Sequence, residues 1–129
     1  MSGPNHADAV DLARAFATFD EAFAPRRVAH VDDMVVKIVR LRGEFVWHRH
    51  EDADELFIVH AGEMEIRYRD RTVRLGPGQL HVVPRGVEHK TFTPKECLAL
   101  IVERRDTLNT GDAARGALTA HEEPFVGDA

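Results

Sequence analysis

The chain has a single cysteine, Cys97, so no disulfide can form within it. That excludes a disulfide framework as the source of stability. The first ten residues, MSGPNHADAV, also lack the basic region and apolar run of a secretory leader, so a reduced, cytoplasmic protein is expected. No apolar stretch approaches the ~20 residues that cross a bilayer as a helix, and no membrane partner is expected. Positive charge is not in excess either: 17 Lys and Arg face 22 Asp and Glu, for a formal net charge of −5. Arg67, Arg69, Arg71 and Arg74 are dispersed along one hairpin rather than clustered, which argues against a nucleic-acid partner, since phosphate binding needs grouped cations. Neither a glycine-rich loop nor a paired basic cluster is present to receive a phosphate.

What is present suits one small domain. The 129 residues are 43% hydrophobic and 30% charged, enough for a packed core and a solvated surface. From Ala7 to Phe23 the residues Leu12, Phe16, Phe19 and Phe23 recur at helical spacing, Asp8 and Asp11 suit a helix start, and Pro25 ends the pattern. A helix packing on the outside of the following domain is expected over this N-terminal segment, residues 1–29. From Met34 onward the chain breaks into short runs rich in Val, Ile, Phe and Thr: MVVKIVRL, EFVWHRH, ELFIVHAG, EMEIRYR, TVRL, QLHVVP, HKTFT and CLALIVER. With no helical pattern between them, a doubly wound sheet is excluded and an antiparallel sandwich or barrel over residues 30–106 is expected. Residues 107–129, rich in Gly, Ala, Thr and acidic residues, carry no period and are expected to form an extended surface tail.

The residues that carry chemistry cluster in two of these stretches. In WHRHEDADELFIVHAG, alternation along a strand sends His48 and His50 to one side and Trp47 and Arg49 to the other. If the acidic turn folds them back over Glu55, two imidazoles and a carboxylate converge. In GQLHVVPRGVEHKTF, the turn at Pro84 to Gly86 can bring His89 alongside as a fourth donor. Three nitrogens and one oxygen suit a borderline or harder divalent ion.

These residues resemble the motifs of the cupins, small double-sheet jelly rolls. The first motif corresponds to Gly43, His48, His50, Glu55 and Gly62, the second to Gly78, Pro84, Gly86 and His89. Two positions depart from the pattern. Four residues rather than five separate Gly43 from His48, and Thr93 stands where the family has Asn. Neither removes a ligand. The resemblance implies an all-β fold, a double-stranded β-helix with a short N-terminal α-helix. It implies one divalent transition metal (Fe, Mn, Ni, Zn or Cu) on His48, His50, Glu55 and His89, and a small-molecule ligand or substrate.

An open coordination position can polarise a carbonyl or orient a bidentate ligand. The expectation is therefore an enzyme that isomerises or oxygenates a small oxygen-rich molecule, a keto acid or sugar acid. The alternative is a non-catalytic module that binds or senses a small ligand. Tyr68 and Lys37 are candidate proton carriers by residue type. The other histidines, His6, His30, His60, His81 and His121, read as surface or hydrogen-bonded residues, and Glu51, Asp52 and Asp54 as an exposed turn. Trp47 reads as a packing residue, at a sheet or dimer interface, and Cys97 as a small buried apolar residue. A homodimer is expected, with contacts through the N-terminal helix and the strand Met34 to Leu41, because a small sandwich gains from covering an edge.

Overall fold

The computed structural model describes residues 8–114, 116–120 and 122–126, so His6, His121 and the expected helix start at Ala7 lie outside the described residues. The described chain is almost wholly antiparallel β-sheet with one short helix. The elements are α1 (Leu12–Phe16), β1 (Arg26–Val31), β2 (Met34–Glu44), β3 (Glu55–Ala61), β4 (Met64–Tyr68), β5 (Thr72–Leu75), β6 (Leu80–Val83) and β7 (His89–Arg104). They form one jelly-roll sheet in the order β1-β2-β7-β3-β6, with β4 paired to β7 and β5.

β7 organises this topology. Its first half pairs with β4, from Tyr68↔His89 to Glu65↔Phe92, and its second half pairs with β3, from Ala61↔Leu98 to Leu56↔Val102. β2 runs along its opposite edge throughout. The two runs HKTFT and CLALIVER are therefore one continuous strand. Gly62 ends β3 where the chain passes close to β7. A Cβ there would lie 2.7 Å from the Glu96 carbonyl oxygen, and φ is +87°, so only glycine fits without strain.

Side-chain alternation builds the interior. Val39, Leu41, Phe57, Val59, Met64, Ile66, Cys97, Ala99 and Ile101 fill the space inside the roll. A second cluster, Ala15, Phe16, Val28 and Ile38, lies under α1 on the outer face. Cys97 is fully buried, and burial pushes its thiol up to about 11 from its usual 9. The unfolded chain ionises first, so native stability is expected to fall between pH 9 and 11, by up to about 2 kcal/mol. Urea unfolding at pH 8 and pH 10.5 measures this, and Cys97→Ala should remove the Cys97 share of the loss.

The helix is shorter than its periodicity predicts, five residues rather than Ala7 to Phe23. The aromatic residues serve different layers. Phe16 is buried beneath the helix, Phe19 lies under Arg26 and Arg40 outside the sheet, and Phe23 turns inward to stack on Phe45 at 5.1 Å. No single helix face can do all three. Arg40 donates to the carbonyls of Phe16 and Phe19, and Arg42 to that of Asp20, so oxygens no longer bonded within a helix keep partners. β1 was not anticipated from the sequence, and EFVWHRH forms only isolated pairs with β7 instead of a strand.

The tail folds back rather than extending. Buried Thr110 and Thr119 place their hydroxyls 3.1 Å apart, Asn109 ties Leu118 and Ala120, and Arg27 exchanges backbone bonds with Pro124 and Val126. Of the two elements expected to make a dimer, β2 has both its edges paired within the chain, while α1 keeps an exposed side. β2 lies between β1 and β7, with α1 packed over it.

Candidate metal centre

His48 and His50 sit on the irregular segment after β2, Glu55 opens β3 and His89 opens β7. The segment is held in place by its backbone: His48 and His89 exchange N–H to carbonyl bonds of 3.0 and 2.9 Å, and Gly86 N donates to His50 O. The tail grips it from the other side. Arg49 N donates to Asp112 Oδ1 at 2.7 Å, Asp112 N returns a bond to Arg49 O, and a Cβ at Gly111 would run into that same carbonyl oxygen. Between these anchors the expected alternation survives. His48 and His50 are buried while Arg49 is exposed.

All four side chains are buried, and one donor atom from each lies within 4.8 Å of the others. His48 Nδ1 lies 2.9 Å from Val46 O, and His89 Nδ1 lies 3.0 Å from Val87 O. A carbonyl only accepts, so Nδ1 carries the proton in each ring; His48 Nε2 is left facing the cluster, while His89 Nε2 lies 3.2 Å from Glu55 Oε1. Burial, aided by the neighbouring His89, lowers His48 to about 4, so its imidazole is neutral at neutral pH. Burial opposes a charge on Glu55, but the His50 and His89 rings beside it outweigh burial and hold its carboxyl well below the usual range. His50 Nε2 is 3.3 Å from Glu55 Oε1 yet makes no hydrogen bond, a buried polar atom left without a partner. A buried nitrogen in that state is costly unless something else binds it. A neutral His48, a charged carboxylate, a third ring against that carboxylate and an orphaned His50 nitrogen fit a divalent transition ion.

The structure places Tyr68 beside the quartet, its ring 6.5 Å from that of His89, and Lys37 behind Glu103. Tyr68 Oη is 2.8 Å from His81 Nε2, and burial raises its hydroxyl above the usual range. Leu80 and Val82 are exposed, so it is His81 that turns inward on β6. Lys37 is fully buried, 2.7 Å from Glu103 Oε2 and 2.5 Å from Glu123 Oε1. Burial disfavours its charge, but the two carboxylates more than compensate and raise it above the ordinary lysine range.

Two residues of the site were missed from sequence. Glu103 lines a cavity of about 30 Å³ together with His48 and Glu55. Burial, reinforced by Glu55, pushes its carboxyl well above the usual range, and its Oε1 has no partner. The signal was available: Cys97, Ala99, Ile101 and Glu103 share one face of β7, which puts a carboxylate in phase with the core. Glu123 comes from the tail, and no pattern pointed to it. The remaining polar residues follow their expected structural roles. Glu51, Asp52 and Asp54 are exposed, His60 stacks on Phe16, and His30 meets Phe125 edge-on. Trp47 packs at the surface, where Arg69 covers its ring at 3.7 Å.

Comparison with known proteins agrees with this geometry. The cupin domain family matches residues 35–103, more than half of the chain. The uncharacterized protein YdbB of Bacillus subtilis is 35% identical over 86 residues, spanning 66% of this chain and 76% of YdbB. A crystal structure of a cupin-2 domain containing protein from Shewanella frigidimarina is 41% identical with a TM-score of 0.74, covering 74% of this chain and 94% of its own. KdgF from Halomonas sp. is 29% identical with a TM-score of 0.58, over 64% of this chain and 79% of its own. The jelly-roll topology, the buried His-His-Glu-His cluster and the family match together mean that this chain belongs to the cupin domain family.

Proposed function

We propose that His48, His50, Glu55 and His89 bind one divalent transition metal, and that the protein is an enzyme acting there on a small keto acid or sugar acid by isomerisation or oxygenation. The observation that carries this reading is the buried quartet opening into a cavity that holds a second carboxyl group, Glu103. A bound ion supplies a Lewis acid and an open position for a substrate oxygen. The protein supplies the rest. Val46 O and Val87 O orient the His48 and His89 rings, so both nitrogens face inward without rearrangement. Phe23, Phe45 and Phe57 give the cavity an apolar wall. Glu103 Oε1, unpartnered in the same wall, stands where a proton can pass to or from a bound molecule. Lys37 acts as a positioning residue by holding Glu103 Oε2, and Tyr68 acts through His81.

The test is the metal content, by elemental mass spectrometry, of protein purified without added metal or chelator. One equivalent is expected. Iron or copper directs assays to oxygen consumption, and zinc, nickel or manganese to isomerase and lyase substrates. No metal, and none taken up on adding divalent ions, rejects the enzyme reading and leaves the non-catalytic ligand-binding module, which the small cavity also suits.

The proposed homodimer has a further candidate surface besides the N-terminal helix. β6 is hydrogen-bonded on one side only, and its exposed Leu80 and Val82 face solvent beside Leu56 and Ile58 of β3. An edge strand of this kind can pair with its own copy about a two-fold axis. Size-exclusion chromatography with light scattering is expected to give a dimer that Leu80→Lys converts to monomer, and a wild-type monomer would reject it. Among the described residues no helix is long and apolar enough to cross a membrane. A single buried cysteine suits a reducing, cytoplasmic compartment.

A further inference from the structure

We infer that the ligand of this centre is a 2-oxo acid with a short apolar body, and not a polyhydroxylated sugar acid; this rests on the metal reading above. Beyond His48 and Glu55, the cavity wall is mostly apolar, with Phe23, Val39, Leu41, Phe45, Phe57 and Ile101, and its other polar members are Thr91, Glu103 and Asn109. Of these polar groups Asn109 is committed within the chain and Glu103 in part, its Oε1 staying open. Glu103 holds Lys37 through Oε2, and Asn109 spends its amide nitrogen on Leu118 O and its oxygen on Ala120 N. A sugar acid carries a hydroxyl on nearly every carbon, and most of these would leave water for this wall without a matching partner. An alkyl body would gain from the same wall.

The aromatic lip is built at a backbone cost. Phe23 has φ +58°, a conformation uncommon for a bulky residue, and it is held there by its N–H bond to Arg40 O at 2.9 Å. The result is a ring stacked on Phe45, whose own ring meets His48 edge-on at 5.3 Å. The cavity's size limits the body. At about 30 Å³ it has room for roughly two water-sized groups, so two or three carbons fill it before the lip must move.

A polar approach exists on the other side of His50, a surface groove of about 600 Å³ that includes Arg49, Arg85 and Arg104. Each of these arginines already faces a carboxylate: Glu51 at 2.9 Å, Asp54 at 3.6 Å and Asp33 at 3.9 Å respectively. The groove offers a ligand's hydroxyls and anionic groups less than its outline suggests.

The experiment uses the full chain loaded with cobalt(II), with metal content measured first and binding read from the cobalt absorption bands. The probes are glyoxylate, pyruvate, 2-oxobutanoate, 2-oxopentanoate and 2-oxogluconate. Affinity is expected to rise about fourfold per added carbon from pyruvate to 2-oxobutanoate and then level off. 2-Oxogluconate is expected to bind at least tenfold more weakly than 2-oxobutanoate. Phe45→Asn should narrow that gap to under threefold, and Phe23→Leu, which keeps the wall apolar, should preserve it; circular dichroism checks that both are folded. Cobalt bound with 2-oxogluconate equal or tighter overturns the inference and leaves the metal centre standing. Protein that takes up no metal overturns both.

Discussion

Protein carrying both His48→Ala and His89→Ala is expected to retain no stoichiometric metal under conditions where the wild type holds one equivalent. These two rings carry the backbone anchors that turn Nε2 towards the cluster, at Val46 O and Val87 O. Removing an outer-shell partner alone commonly costs roughly 10- to 100-fold in metal affinity, and losing two direct donors costs more. His50 and Glu55 would remain as a two-donor site. The fold should survive, because the interior cluster from Val39 to Ile101 is built from other residues. A readout independent of metal analysis follows. Metal that binds only the native state at about 1,000 times its Kd adds about 4 kcal/mol of stability. Thermal unfolding with and without added zinc should therefore shift markedly for the wild type and hardly at all for the double variant. A double variant that keeps one equivalent would remove the quartet from the metal reading.

Lys37→Met is expected to destabilise the protein by about 3–5 kcal/mol, the range seen when one partner of a buried ion pair is removed. Lys37 and Glu103 are 0% and 1% exposed, and Glu123 is buried beside them, so water cannot take over the lost charge. Two carboxylates would be left facing each other's field, and each already has one oxygen, Glu103 Oε1 and Glu123 Oε2, without a partner. The tail should loosen as well, because both Glu123 and the Thr107 carbonyl meet the buried lysine. Replacing all three residues together, Lys37→Met with Glu103→Gln and Glu123→Gln, should recover much of the loss, since no buried charge then stands alone. Urea unfolding at pH 7 measures both variants. A loss below 1 kcal/mol for Lys37→Met would show that the network is solvated and contributes little.

Much of the fold could be read along the chain. The two-residue alternation in EMEIRYR and ELFIVHAG correctly divided inward from outward side chains, with Met64, Ile66 and Tyr68 buried and Glu65 and Arg67 less so. The helix was overread because spacing of three and four residues between aromatics cannot say which layer each ring will enter. β1 escaped notice because RRVAHV carries two arginines and a histidine, a weak strand signal that becomes a strand only through pairing with β2.

The sequence by itself determined the β class, the jelly-roll resemblance and the four residues that converge, because strand alternation and turn spacing are local and act on side chains a few positions apart. Only the tertiary structure decided what surrounds that quartet. Lys37 and Glu103 meet across 66 residues, Arg49 and Asp112 across 63, and Phe23 turns into the cavity only because Arg40 and Phe45 hold it there. Such contacts depend on where whole strands and the tail come to lie, and no local period encodes them.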